Sequence, residues 1–378
     1  MPMILAAKKM GFHVITSGNR VDDIGHQFSD EVHLEDFSDP VAMLQLAKRL
    51  QVDAICPSCN DFAATSAAFV AAELGLPGYD SYETSLLLHH KDRYRKYAAS
   101  IGVLSPRAFS FASTQEALSL KSSITYPAIV KPVDLTGGKG ILVIHNDAEF
   151  DFAIENAITR SKIKKIVVED YLDGTKHGFS ALITKQKVEF YFHDDEHYFL
   201  NKYMVGAATT PGHTGQDQIN LLIKDIETIA RDLNLCDGIL HTQYILSADK
   251  PFIIEMCRRP PGDLYTKFVQ IATGVDYPEA IVSGFSGMNY GHVIRKRVDG
   301  FFARHCVMGD KKGRYLGLSV DPNIALNIID RFPLMKIDEK VEDYLSQKME
   351  IVFLEFESDN EMIEKMKNIH KMLQVNIL

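Results

Sequence analysis

The chain has 378 residues, which is long for one ordinary hydrophobic core and suits two or three domains. Hydrophobic residues at 46% and charged residues at 24% are the proportions of a soluble globular protein and argue against extensive disorder. A net charge of −9 argues against nucleic acid as a main partner, although a local Lys and Arg cluster could still hold a small anion.

The first segment, MPMILAAKKMG, has apolar residues at helical spacing and a Gly stop, and it leads into FHVITSG, which reads as a strand. It lacks the order of a signal peptide, and no later stretch reaches the ~18–20 apolar residues of a membrane span, so a cytoplasmic location without membrane contact is the default expectation. A helix followed by a strand is the second half of a β-α-β unit, so a first strand is expected to be missing from this sheet. Strands near Glu31 to Leu34 and Asp53 to Pro57, with helices over Asp39 to Leu50 and Asp61 to Leu74, continue the alternation of a Rossmann-like parallel sheet. Cys56 and Cys59 form a C-x-x-C at a strand-to-helix turn. With no second Cys or His pair nearby they read as structural, and five cysteines in a chain of this size are no disulfide framework.

GLPGYD, at 75 to 80, breaks the pattern, and a helix of roughly Ser81 to Ile101 follows. From about residue 106 come β-branched strands, YPAIVKP, GILVIH, KIVVEDYL, FSALIT and VEFYFHD, with helices at 147 to 160 and 217 to 233. These suggest two α+β lobes. After Arg297 short strands and a final helix, Glu361 to about Leu373, mark a small C-terminal α+β domain. The expected division is 1–80, 81–294 with a lid lobe at about 106–172, and 295–378. No internal repeat or low-complexity tract is evident.

Three segments carry chemistry. In YPAIVKPVDLTGGKGI a strand ends in Lys131, and a loop with Gly137, Gly138 and Gly140 follows. Bare backbone there lets N–H groups approach phosphate oxygens while Lys131 and Lys139 neutralise charge, although an ordinary Gly-rich hairpin reads the same way. No Gly-Lys-Ser/Thr opens a helix, so the segment is no P-loop. In KIVVEDYLDGTKH, strand-end backbone between Glu169 and Leu172 could meet the edge of an adenine, with Tyr171 and Leu172 framing an apolar slot. A charged strand terminus is the plainer alternative. GILHTQYILSADKPFIIEMCRRPPGD reads as a hairpin with Gln243 and Glu255 on facing strands, followed by Arg258 and Arg259. It is either a salt-bridged hairpin or a site for a divalent metal and the phosphates it bridges.

The order and spacing of these segments resemble the ATP-grasp superfamily over nearly the whole chain, especially its carboxylate-amine ligase, biotin carboxylase and carbamoyl phosphate synthase branch. The resemblance implies a truncated pre-ATP-grasp domain, a two-lobed ATP-grasp module, ATP and Mg²⁺ (or Mn²⁺) as cofactors, and small-molecule carboxylate and amine substrates joined through an acyl phosphate; a homodimer is possible. It implies that Lys91 and Lys131 reach ATP phosphates, that 137–140 is a flexible lid, and that Glu169, Asp170 and Leu172 meet adenine. His177 falls near the ribose, Glu255 at a metal, and Arg259 at a catalytic arginine.

Two departures stand out. The family's earlier metal-binding acid falls at Gln243 and its asparagine at Cys257, so metal binding should be weakened. A nucleotide-binding pseudoenzyme is therefore one alternative, and a carboxylating enzyme of the biotin or carbamoyl type is another. Substrate identity is not legible; Arg258, Arg295, Lys296 and Arg297 could meet a carboxylate or be solvated surface.

Overall fold

The computed structural model describes residues 1–133, 135, 140–289 and 298–378. Gly137, Gly138 and Lys139 of the expected lid, and Arg295, Lys296 and Arg297, lie outside the described residues.

The N-terminal third is mainly helical: α1 (Pro2–Lys9), β1 (Ile15–Thr16), β2 (Glu31–Val32), α2 (Pro40–Leu50), α3 (Asp61–Leu74), α4 (Tyr82–His89) and α5 (Lys91–Ser100). Local chemistry sets the helix ends. Asp39 accepts from the Val41 and Ala42 amides to start α2, and Asn60 does the same for Phe62 and Ala63 at the start of α3. Gly75, at φ 66°, stops α3 in the left-handed conformation that glycine adopts without strain.

Two expectations change here. The helix expected over 81 to 101 is two helices, because His90 is extended (φ −89°, ψ 112°) and starts a new helix at Lys91. The strand expected at Asp53 to Pro57 forms no ladder. β1 and β2 pair in parallel as a two-stranded sheet, and a cavity of about 390 Å³ is lined by both Ile15–Ser17 and Ala54–Pro57. A strand needs a paired neighbour, and the described residues place none beside 53–57.

The next lobe is a four-stranded antiparallel sheet of order β3-β6-β4-β5, formed by β3 (Ala108–Phe111), β4 (Ala128–Pro132), β5 (Leu142–Ile144) and β6 (Ile166–Asp170). Helices α6 (Thr114–Ser119) and α7 (Asp147–Arg160) cover one face, where Phe150, Ala153, Ile154 and Ala157 pack on Val130, Ile144 and Val168. Those positions recur every three or four residues along α7, the spacing of one buried helical stripe.

The rest of the chain builds one large sheet and a smaller three-stranded one. β7 (Thr175–Thr184), β8 (Lys187–His197), β9 (Ala207–Thr210), β10 (Gly238–Ser247) and β11 (Lys250–Cys257) are separated by α8 (Gln216–Asp232), and α9 (Tyr265–Thr273) and α10 (Tyr277–Phe285) follow. Beyond them come β12 (Phe301–Met308), β13 (Gly313–Val320), α11 (Pro322–Ala325), β14 (Ile328–Pro333), β15 (Lys340–Val341), β16 (Lys348–Phe356), α12 (Asp359–Lys367), α13 (Ile369–Met372) and β17 (Leu373–Ile377). The eight-stranded order is β11-β10-β7-β8-β9-β12-β16-β14, so strands from after residue 295 extend the same sheet as β7 to β11. Helix α8 buries Ile219, Leu222, Ile226 and Ile229 against β7, β10 and β11, while α9 and α10 pack in a second core with Leu182, Phe190, Phe192 and Phe353.

Candidate functional site

A cleft of about 330 Å³ opens between the four-stranded lobe and the large sheet. Ile129, Lys131, Val143, Glu169, Asp170, Tyr171 and Leu172 line it from the first, and Lys176, Tyr198, Gln243, Ile245, Ile254 and Glu255 from the second; Lys91 joins them from the start of α5. Of the residues singled out in the sequence, Lys91, Lys131, Glu169, Asp170, Tyr171, Leu172, Gln243 and Glu255 therefore share one space. His177, Gly140 and Arg259 are not among its lining. Gly140 lies at φ 76°, a conformation that glycine adopts without strain, and a Cβ there would press on Pro132 Cγ at 3.0 Å.

Lys131 reaches the cleft from the end of β4, where its ammonium donates to Glu169 Oε2 at 2.7 Å on the adjacent strand β6. Arg95 on α5 meets the other carboxylate oxygen, with Nε 3.1 Å from Oε1, and its Nη2 donates to the Ile254 carbonyl of β11. Arg95 and Glu169 are each 3% exposed, so this is a buried triad of one anion between two cations. Burial pushes the Glu169 carboxyl up, but Arg95 and Lys131 outweigh it and hold the group below the usual carboxylate range. Burial, with Arg95 and Lys91 nearby, pulls the Lys131 ammonium down despite Glu169.

The acidic side chains at the end of β6 are thus occupied. Glu169 holds two cations, and Asp170 accepts from Arg107 Nε and Nη2 at 3.2 and 3.0 Å. The Asp170 and Tyr171 amides donate to the Arg107 and Pro127 carbonyls. Among the described residues the Leu172 amide has no hydrogen bond, which leaves it available to a ligand beside the apolar walls of Ile129, Val143 and Ile254.

Gln243 and Glu255 are direct partners across β10 and β11, with a bulge immediately after Gln243. Among the described residues the nearest cation to Glu255 is Lys91, with Nζ 3.7 Å from Oε1. The pair also lines a second, smaller cavity of about 150 Å³ together with Asp194, Glu196, His241, Cys257, Arg259, Asp263, Tyr265 and Arg304. The two spaces meet at Gln243 and Glu255.

Arg259 belongs to this smaller cavity. Its Nε donates to Asp61 Oδ1 at 2.7 Å, at the first turn of α3, and His89 Nδ1 lies 3.4 Å from the same oxygen. Burial pushes the Asp61 carboxyl up, but His89 and Arg259 overcome this and hold it well below the usual range. Deeper in the cavity, Asp194 accepts from the Tyr265 hydroxyl, and burial drives its carboxyl up to about 8. Burial drives His241 down to about 3, so its imidazole is neutral, and Ser180 Oγ sits 2.7 Å from its Nδ1. Arg304 donates through Nη1 to the Gly262 and Asp263 carbonyls at 3.3 and 3.0 Å. Asp263 and Leu264 both carry positive φ, 57° and 54°, an uncommon conformation for side-chain-bearing residues that holds the turn after Arg259 in place.

His177 is buried away from the cleft. Its Nδ1 lies 2.8 Å from Asp195 Oδ1, Thr175 Oγ1 approaches its Nε2 at 2.6 Å, and its ring stacks on Tyr244. Strand alternation explains the difference: the neighbouring Lys176 takes the cleft side and His177 the other. Arg258 is also internal, bonded to Asp80 and to the Ile239 and Cys236 carbonyls. Sequence reading missed Arg95, Asp61, Lys176, Glu196 and Tyr198.

Two lobes face each other across this cleft, and every residue lining it lies within residues 90–264. That stretch matches the family model described as phosphoribosylglycinamide synthetase, ATP-grasp (A) domain. Over 172 residues the chain is 29% identical to the formate-dependent phosphoribosylglycinamide formyltransferase of Synechococcus sp. (strain CC9311), a match covering 45% of this chain. It spans only 44% of that curated relative's length. Among solved structures the fold is similar to phosphoribosylglycinamide synthetase from Anaerococcus prevotii, with TM-score 0.80, 18% identity, and coverage of 100% of this chain and 96% of that one. It is similar also to L-amino acid ligase from Bacillus licheniformis, with TM-score 0.81, 18% identity, and coverage of 100% and 95%. Among the described residues, no helix is long and apolar enough to cross a membrane.

Proposed function

We propose that this chain is an ATP-dependent ligase that activates a small-molecule carboxylate as an acyl phosphate and passes the acyl group to an amine, releasing ADP and phosphate. The observation that carries the reading is the junction at Gln243 and Glu255, which joins a cleft lined by Lys91 and Lys131 to a smaller cavity lined by Arg259 and Arg304. ATP fits the first, with its base beside the Leu172 amide and its phosphates toward Lys91 and Lys131. The carboxylate substrate fits the second, where about 150 Å³ accommodates roughly six non-hydrogen atoms, the size of a small organic molecule known to fill a cavity of that volume.

The cation that accompanies ATP would be held by Glu255 and Gln243, which offer two oxygen donors on facing strands, and would supply charge neutralisation between phosphates. The chain's own residues do the rest. Lys131 and Lys91 balance the phosphate charge at the transferring group, and Arg259, held by Asp61, orients the acceptor carboxylate. The attacking carboxylate oxygen forms a bond to the γ-phosphorus as the bond to the ADP oxygen breaks. The amine then adds to the acyl carbon and phosphate departs, with one amine proton lost.

One observation favours a second reading, a nucleotide-binding protein without turnover: an amide, Gln243, stands where the superfamily places a carboxylate. Hydroxylamine separates the two. With ATP, Mg²⁺ and a matching carboxylate, the ligase reading expects the acyl phosphate to be trapped as a hydroxamate; ATP binding without hydroxamate or ADP across a broad carboxylate panel would contradict it.

A further inference from the structure

Gln243 on β10, Gly178 on β7 and Asp194 on β8 lie in one row across the large sheet. A Cβ at Gly178 would come within 2.7 Å of Asp194 Oδ1, so bare backbone at this position gives the Asp194 carboxylate its room beside β7. Gln243 reaches across toward β8, and its Nε2 donates to Glu196 Oε1 at 2.6 Å. The other Glu196 oxygen accepts from the Tyr198 hydroxyl at 2.5 Å. With one Glu196 oxygen accepting from Tyr198 and the other from Gln243, the amide stands with Nε2 toward Glu196 and Oε1 away. Among the described residues Gln243 Oε1 has no hydrogen-bond partner, and neither has the Glu255 carboxylate, whose closest charged neighbour is Lys91 at 3.7 Å. Both residues line the cleft and the smaller cavity at their junction.

We propose that Glu196 is a positioning residue: it locks the Gln243 amide with its oxygen turned into the junction, so that Gln243 and Glu255 together present two hard oxygen donors to the divalent cation of the nucleotide. This rests on the nucleotide reading above. The carboxylate that orients this amide belongs to Glu196 on β8, two strands from β10, and it acts through the amide instead of on the ion. An amide oxygen is an accepted ligand for hard cations, whereas the amide nitrogen is not, so the flip decides whether position 243 binds or repels the ion.

The test measures Mn²⁺ binding by electron paramagnetic resonance in the presence of a non-hydrolysable ATP analogue, with metal-free analogue binding and melting temperature as controls. Glu196→Gln removes the preference for one flip, and its Mn²⁺ affinity is expected to fall about 10-fold, the lower end of the loss on removing an outer-shell partner, with metal-free nucleotide binding unchanged. The exchange variant Glu196→Gln/Gln243→Glu, in which the amide now orients a carboxylate, is expected to recover at least the wild-type affinity. Unchanged Mn²⁺ affinity in Glu196→Gln, an exchange variant as weak as the single one, or an equal loss of metal-free binding overturns the proposal. Wild-type protein that binds the analogue but not Mn²⁺ also overturns the proposal, whereas failure to bind the analogue at all overturns the nucleotide reading instead.

Discussion

Replacing Glu169 with Gln tests the buried triad most sharply. The carboxylate lies 2.7 Å from Lys131 and 3.1 Å from Arg95, which at an effective dielectric of about 20 corresponds to gross attractions of roughly 6 and roughly 5 kcal/mol. Desolvation of three charges offsets most of that sum. Removing the anion alone, however, leaves two buried cations without compensation, a loss expected to cost about 3–5 kcal/mol. Glu169→Gln should therefore lower the unfolding free energy obtained from urea denaturation at pH 7 by that amount. The wild-type carboxyl is held below its ordinary value, so its stabilisation is present above the unfolded value of 4.5 and is lost as pH falls through the folded one. The difference between wild type and variant should accordingly shrink below about pH 4.5. Urea unfolding at pH 7 and at pH 4 measures both. A cost under about 1 kcal/mol at pH 7, or a gap that does not narrow in acid, would refute the triad as an ionised, buried unit.

Lys131→Ala leaves Glu169 paired with Arg95, so its loss of stability should be smaller than that of Glu169→Gln, yet it should abolish most of the melting-temperature rise given by ATP with Mg²⁺; an undiminished rise would remove Lys131 from the phosphate site. Asp61→Asn should leave ATP binding intact and reduce phosphate release, because Arg259 lines the smaller cavity and not the cleft; parallel titrations of binding and turnover check the split. Asp194 has its folded value raised to about 8, so the unfolded chain loses this proton first and stability falls with rising pH between about 4 and 8, by up to about 1.4 kcal/mol per pH unit. Asp194→Asn should flatten that slope in denaturant titrations across the window, and an identical slope in the variant would place the titration elsewhere. Gln243→Glu alone sets a second carboxylate beside Glu196, whose Oε1 is 2.6 Å from the present amide nitrogen, so any gain in Mg²⁺ affinity should appear only when Glu196→Gln accompanies it.

Much of the cleft could be read from the sequence because its parts are local patterns. A β-branched strand ending in Lys131, an apolar strand ending in Glu169, and a hairpin that pairs Gln243 with Glu255 each announce themselves within a dozen residues. What completes them comes from far along the chain. Asp61 and Arg259 are 198 positions apart, and Arg95 reaches the Ile254 carbonyl across 159; no periodicity links such residues. The resemblance sets His177 near the ribose, yet Lys176 takes the cleft side, because strand composition does not say which of two alternating neighbours faces a cleft formed by another lobe. The strand at 53–57 failed for a related reason: hydrophobic alternation specifies an extended segment, whereas a ladder requires a neighbour in register. The segment after 295 reads as a separate unit by composition, yet β12 pairs with β9 and so continues the large sheet.

The central claim is turnover of ATP that depends on two further substrates. The most direct measurement is ADP release over a pairwise panel of amino acids and small carboxylates, run with the wild-type protein and with Lys131→Ala. The account predicts at least one pair for which ADP forms only when both members are present, with that signal lost in Lys131→Ala. Release that is independent of any carboxylate, or equal in the variant, would contradict it.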